Sequence, residues 1–467
     1  MKILIQNGKV YDPANGIDGK VKNIFIKDGT IVDEFSDADK TIDARDKSVM
    51  SGGIDIQSHV GTFGLNLARF THSYFKPKDI GHIYAKMGYT FVNESLMTIE
   101  TSNYVHHELC SIPIVDTSAF LALNFHDLWR YIKDERIRDT EDIISRLAYI
   151  NRAIGVRICY PYLKFNRIWH SHKNISTKKF LKFFSQFKKD NLSFPVFLNT
   201  SPELLDQPLE ECGLFHFSQL GSGITNEEQY NIAHGLLKKG FTADPGLHNN
   251  NRNKLIIDFE KSNKERCLSI GIALTDPICF LSGNSSTKEG KYSYYPLKLT
   301  LEADPSKICF SIRCNDGASF DMYPSFFSLL MSREMRSGQI EGELPHREFS
   351  LYEIAQITRS TPAKLLGLKN KGHLGTGADA DISIYNISKV TDSKDLEDEF
   401  RNCSYLIKGG QLVIDDKRII DDSVKKRNYY RKGLGINDKI ENIYKISSRR
   451  LEHLEVNEIF IPDGFSV

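Results

Sequence analysis

The stretch GGIDIQSHV, residues 52–60, decides the fold of this chain. Apolar Ile54 and Ile56 alternate with polar neighbours, and the polar dipeptide Gln57-Ser58 stands beside His59. This is the pattern of a β-strand that carries side chains to a pocket at its end. Residues two apart on a strand face the same way, so Gln57 and His59 address one site. A histidine pair at that spacing suits a metal ion, and here an amide holds one of the two places.

Further apolar runs of strand length follow: YTFVNESL (89–96), FLALNF (120–125), GVRICYP (155–161), SFPVFLN (193–199), GLFHFSQL (213–220) and ICFSIRC (308–314). Helical segments alternate with them. DTEDIISRLAYINRAIG (139–155) opens on acidic residues, spaces its apolar residues for a helix and stops at a glycine. EEQYNIAHGLLKKG (227–240) and LYEIAQITRSTPAKLLGL (351–368) read likewise. Strand–helix alternation over about 320 residues predicts an α/β fold built on a (β/α)8 barrel.

The two ends differ from this middle. KILIQNGKVYD (2–12) and NIFIKDGTIVDEF (23–35) alternate and break at Asn7-Gly8 and Asp28-Gly29, which read as hairpin turns. GADADISIYNI (377–387) and CSYLIKGGQLVIDDK (403–417) are again short strands around glycine-rich turns. The expected organisation is a small β-sandwich domain from residues 1–50 with 372–420, a barrel over 51–371, and a tail or arm over 421–467 that carries KKRNYYRKG (425–433).

The bulk composition narrows the function. The 467 residues are 40% apolar and 26% charged, and the net charge is +1. That balance argues against general binding to nucleic acid or anionic membrane. No apolar run reaches membrane-spanning length, and MKILIQNGKVYDPANG is not a signal peptide. The eight cysteines are scattered without a CxxC pair, which fits reduced thiols in a cytoplasmic protein.

The residues also resemble a known family. NGKVYDPANGIDG, GGIDIQSHV, NLAR, MGYTFVNES, IPIVD, YPSFFSLLMSRE and the long LYEIAQITRSTPAKLLGLKNKGHLGTGADADISIYNI are similar to the amidohydrolase superfamily. Within it they resemble the A subunits of formylmethanofuran dehydrogenase and of the formyltransferase/hydrolase complex. The resemblance implies a barrel paired with a β-sandwich, other subunits as partners, and a two-zinc centre at the barrel mouth. It also implies deformylation of an N-formyl carrier of the methanofuran type.

The ligand set implied by the resemblance is a His-x-His pair, a carboxylated lysine, two further histidines and an aspartate. Here the pair reads Gln57-Ser58-His59, Arg157 stands at the lysine, and FPVFLNT puts Pro195 and Phe197 at histidines while keeping Asn199. HFSQ keeps His216 and places Gln219 at a ligand, and IRCNDGASF aligns Arg313 with the aspartate, with Asp316 three residues on. Arginine stays protonated and cannot form a carbamate. Only His59 persists among the six positions. The expectation is therefore no metal at this site.

Alternatives stand beside that expectation. His59, with Glu94 and His216, is a pocket residue or a ligand. Arg157 and Arg313 form a salt-bridged plug, paired with acids such as Glu94, or else an anion pocket. Asn66 and Arg69 of NLAR contact a carrier or make a structural ion pair. His106 and His107, and His170 and His172 of WHSH, read as surface histidines. GHLGTGADAD reads as a β-turn and not as a phosphate loop, since it lacks the Lys-Ser/Thr ending. The resulting function is that of a metal-free, structural or regulatory protein of formyl metabolism, similar to those A subunits. The rivals are a formyl-amide hydrolase and a carrier-binding protein without turnover.

Overall fold

The computed structural model describes residues 1–62, 75–99, 101–124, 128, 131–159, 175–187, 194–200, 202–206, 215–248, 253–256, 279–282, 292–312, 319–340, 342–387, 393–431 and 464–466. The strand begun by GGIDIQSHV is Gly53–Asp55, and it pairs in parallel with Tyr89–Met97. The sheet continues in parallel through Asp116–Asn124, Gly155–Cys159, Val196–Asn199, Phe215–Ser218 and Thr242–Ala243. Residues 308–312 add an eighth extended segment through parallel bridges from Ala243 to Ile308 and from Leu247 to Ile312. The barrel read from the sequence is present.

Burial explains why these segments are strands. Every residue of Tyr89–Met97 is buried, as a parallel strand covered on both faces requires. One set of side chains packs outward on the helices, among them Val92, Leu121, Val156, Leu198, Phe217 and Ile308. The alternate set packs inward, including Ile54, Phe91, Phe120, Phe197 and Cys309. Helix Ile137–Ile150 buries Ile143, Ile144, Leu147 and Ala148 on one face and carries Asp139 in its first turn, where a negative charge opposes the helix dipole. Helix Glu227–Lys238 is capped by the Asn226 side chain, which accepts from the Gln229 N–H. Residues 351–366 run as one helix with a π-helical turn at Gln356–Ser360.

The second unit is a nine-stranded sheet whose central strand is Lys2–Asp12. It pairs antiparallel with Ile17–Lys27 and parallel with Lys40–Asp43 and Ser48–Ser51. Ser48–Ser51 then pairs with Ile382–Tyr385, so the two ends of the chain meet in one sheet. Asp28-Gly29 turns the chain between Ile17–Lys27 and Thr30–Val32. Asn7-Gly8 does not form a hairpin turn; it makes a bulge inside Lys2–Asp12. Asn7 has φ 63°, and a Cβ on Gly8 would lie 2.4 Å from the Val49 side chain. A left-handed residue next to a close approach explains why this Asn-Gly bends a strand without reversing it.

KKRNYYRKG does not behave as an exposed tail where it is described. Asn428–Tyr430 pairs in parallel with the start of Asp116–Asn124 and with Gly464–Ser466. Tyr429 packs on Phe91, 5.4 Å between ring centroids, inside the lower end of the barrel. Lys426 donates to the carbonyls of Leu109, Cys110 and Ile112 and so satisfies a helix C-terminus.

The lower end of the barrel also holds a buried charge cluster. Lys371 Nζ lies 2.7 Å from Asp116, 3.0 Å from Asp379 and 2.6 Å from Asp381. Lys408 Nζ lies 2.8 Å from Asp116 and 3.2 Å from Asp381, and Arg427 reaches Asp379 at 3.2 Å. Asp116 begins a barrel strand, while Asp381 and Lys408 belong to the β-domain side. The cluster therefore ties the two units together. Among the described residues no helix is long and apolar enough to cross a membrane.

Candidate functional site at the barrel mouth

The upper, C-terminal ends of the barrel strands converge on Gln57, His59, Glu94, Ser95, Arg157, Asn199, His216, Ser218, Gln219 and Asp244. Alternation points Arg157 inward from Gly155–Cys159 and Asn199 inward from Val196–Asn199. Arg157 Nη1 donates to Ser95 Oγ at 3.2 Å, and Nη2 donates to Asn199 Oδ1. The Gln57 amide, oriented by its network, places its oxygen 2.8 Å from Arg157 Nη1, 3.2 Å from Nη2 and 3.2 Å from Gln219 Nε2. Residues of the first, second, fourth, fifth and sixth barrel strands, or of the turns that follow them, are thereby stitched across the mouth.

Glu94 does not pair with Arg157. Its Oε2 accepts from the Gly61 N–H at 2.7 Å and its Oε1 from the Leu96 N–H at 2.9 Å. His59 Nδ1 lies 3.6 Å from Glu94 Oε1, and Ser95 Oγ lies 3.1 Å from His59 Nε2. Among the described residues Arg157 has only neutral partners, so the salt-bridged plug is corrected: side-chain amides and a hydroxyl hold the arginine, because the nearby acids are occupied elsewhere.

His216 is buried and meets Asp244, an acid the sequence reading missed. His216 Nε2 lies 3.2 Å from Asp244 Oδ2, and Nδ1 lies 3.0 Å from Thr242 Oγ1. Burial pushes the His216 ring below its ordinary value against the pull of Asp244, which leaves it neutral with Nε2–H donating to the carboxylate. Asp244 also accepts from Ser218 Oγ at 2.9 Å, the Gln219 N–H at 3.0 Å and the Ser311 hydroxyl. Burial works to raise its carboxyl, but the hydrogen bonds from His216 and Ser311 and the Arg157 charge hold it below the usual range. The signal for Asp244 is faint: a carboxylate in TADPG, at the end of a strand only two residues long.

Phe197, at a position where the resemblance implies a histidine, is fully buried. It stacks against Phe120 at 4.3 Å and against His216 at 4.2 Å between ring centroids. An aromatic floor thus underlies the polar network. His59 and Gln219 both adopt left-handed backbone, φ 51° and 56°, at turns that leave barrel strands. Such backbone is strained for residues with a side chain and clusters at sites that impose a fixed geometry.

The donor set does not fit a dinuclear metal centre. An amide, a guanidinium, a phenyl ring and a second amide stand at implied ligand positions, and among the described residues no group of three or more His, Cys, Asp or Glu is placed to hold a metal. Asn66, Arg69, Arg313, Asp316, His170 and His172 lie outside the described residues. His106 is not a surface residue: it is buried and its Nε2 lies 2.9 Å from the Asn151 carbonyl, while His107 is exposed. Helical phase separates the neighbours, and burial lowers His106 to about 4.

Comparison with known proteins locates this geometry. Residues 287–414 match the Amidohydrolase family. Protein FwdA of Methanocaldococcus jannaschii is 26% identical, covering 90% of this chain and 89% of its own. The A subunit of the formyltransferase/hydrolase complex Fhc from Methylorubrum extorquens is 26% identical, covering 89% of each chain. The crystal structure of the FhcABCD complex from that organism, with methylofuran, superposes with a TM-score of 0.78 at 22% identity, over 99% of this chain and 97% of the matched one. The resemblance read from the sequence, to the amidohydrolase superfamily and to these A subunits, holds along the chain.

Proposed function

We propose that this amidohydrolase-fold chain, related to formylmethanofuran-type A subunits, serves as a metal-free, non-hydrolytic subunit in a complex of formyl transfer or oxidation. The observation that carries this reading is the arginine network. Arg157 occupies the position where the resemblance implies a carbamate, and Gln57, Ser95 and Asn199 hold its guanidinium across the mouth. Two zinc ions beside that fixed positive charge meet electrostatic repulsion and lack an anionic bridge. Without bound metal, none of the described residues lowers the pKa of a hydrolytic water toward neutrality.

The related proteins carry the names of complexes, and the Methylorubrum complex was crystallised with methylofuran. Association with other subunits of such a complex follows as the proposed role of this chain. Asn66 and Arg69 are the proposed contacts to a carrier of the methylofuran class. The test is elemental analysis of the purified full chain, together with an assay for formate release from an N-formyl carrier. The expected result is zinc far below one ion per chain and no formate release with or without added zinc. Two tightly held zinc ions per chain, or formate release that His59→Ala removes, overturns the reading in favour of a hydrolase.

A further inference from the structure

The Arg157 side chain is only 4% exposed. Its two terminal nitrogens are used by Ser95, Asn199 and Gln57, but Nε is buried and meets no acceptor among the described residues. An arginine has five N–H donors in a planar fork, so one donor on one edge of this fork is left over. The same guanidinium has no carboxylate partner among the described residues, and burying a cation without a counter-charge is costly. The acids whose fields reach the mouth do not supply one. Asp244 is filled by His216, Ser218, Ser311 and the Gln219 N–H. Glu94 is filled by two backbone N–H groups and faces His59.

We propose that Arg157 anchors a small-carboxylate site in the barrel mouth, with the Nε–H edge of the guanidinium as its donor. A carboxylate is the matching chemistry because it is planar, singly charged and accepts along the edge of an arginine fork. It must be small because the guanidinium lies within the network above the Phe120–Phe197 floor. The site rests on the metal-free reading given above, since metal ions in the mouth would compete with Arg157 for the same anion.

The experiment is calorimetric titration of the full chain with formate, the smallest carboxylate, and with propionate, at ionic strength held constant with sodium chloride. The expected result is saturable formate binding near one per chain and weaker propionate binding. Arg157→Gln and Arg157→Lys, each checked for native circular dichroism, lower the formate affinity about tenfold or more, the value of a charge-assisted hydrogen bond. Should either variant fail to fold, the wild-type Arg157 Nε–H resonance serves instead and shifts on adding formate. Absence of saturable formate binding, equal binding by a folded Arg157→Gln protein, or an Nε–H resonance that formate leaves unmoved overturns the site. Zinc content measured on the same sample separates the two failures. Zinc-free protein that ignores formate removes only the carboxylate site, whereas two zinc ions per chain remove the metal-free reading as well.

Discussion

Both ends of the barrel bury positive charge, and they neutralise it differently. At the lower end Lys371 and Lys408 sit directly on Asp116 and Asp381, with Arg427 on Asp379 alongside. Among the described residues, cations and carboxylates there are matched three to three. At the upper end Arg157 touches only hydroxyl and amide oxygens, although Asp244 and Glu94 are nearby. The fold can satisfy a buried cation with carboxylates, and does so where two units must be held together. At the mouth it spends its carboxylates on His216, Ser218, Ser311 and backbone N–H groups instead. The lower cluster is thus a structural joint, and the upper one is a fixed positive centre.

The largest test of that contrast is Lys371→Met. It leaves Asp116, Asp379 and Asp381 short of a buried partner, and breaking such a network by removing one member costs about 3–5 kcal/mol. Urea unfolding of the full chain at neutral pH should show this loss as a lower midpoint. The pH dependence follows from the same charges. Asp381 is held below the usual carboxylate range, chiefly by Lys371 and Lys408 against the opposing effect of burial. Its contribution is therefore complete above about pH 4, the unfolded value, and is lost as pH falls toward the folded one. Lys371 is raised well above its ordinary value by Asp116 and Asp381 despite burial, so its contribution holds up to about pH 10 and fades only above that. Within this window the joint should not respond to pH.

His106 supplies a smaller, pH-dependent effect away from both charge clusters. Burial lowers its pKa to about 4, below the unfolded value of about 6.5. The native state then binds fewer protons than the unfolded state between those values. Stability is complete above about pH 6.5 and falls as the pH drops toward 4, by a few kcal/mol at most. His106→Asn should flatten that slope in melts taken across the range. An unchanged slope assigns the acid sensitivity elsewhere, with His216 the next buried histidine to examine.

The sequence made the barrel legible for a physical reason. Its strands are short apolar runs bounded by turns, and helices such as Ile137–Ile150 place their apolar residues on one face. Local pattern carries both signals. The mouth was partly legible: the replacements at Gln57, Arg157, Phe197 and Gln219 stand in the sequence, and their convergence follows from strand ends. What was hidden depends on contacts between distant residues. KKRNYYRKG looks like a solvated basic arm, yet Lys426 caps a helix and Tyr429 enters the barrel. Asp244 has no motif of its own, and its meaning comes from His216, 28 residues earlier. Asn7-Gly8 carries a hairpin signal, but the strand pairing on both sides turns it into a bulge.

Arg157→Met should cost much less than Lys371→Met, about 1 kcal/mol or less. The substitution removes hydrogen bonds to three neutral oxygens, each worth about 1 kcal/mol net, but it also removes a buried cation that has no carboxylate among the described residues. The two terms oppose each other. Equal losses for Arg157→Met and Lys371→Met in the same urea experiment would break the contrast between the two ends.

The smallest expected effect is the most pointed. Gln57→His rebuilds the His-x-His pair of the first strand, and on the sequence alone it looks like a repair. Zinc content by elemental analysis should nonetheless stay unchanged. The new imidazole would face the Arg157 guanidinium, which Gln57 now accepts from at 2.8 Å, and a neutral ring cannot offset that charge. His59 and the new histidine would supply two ligands where a stable site needs three or four, and Phe197 still fills a ligand position with a phenyl ring packed on His216. Stoichiometric zinc in Gln57→His would mean that the mouth lies one residue from a metal site, and that Arg157 is no barrier to one. Unchanged zinc would mean that the arginine, more than the missing histidine, sets the character of the mouth.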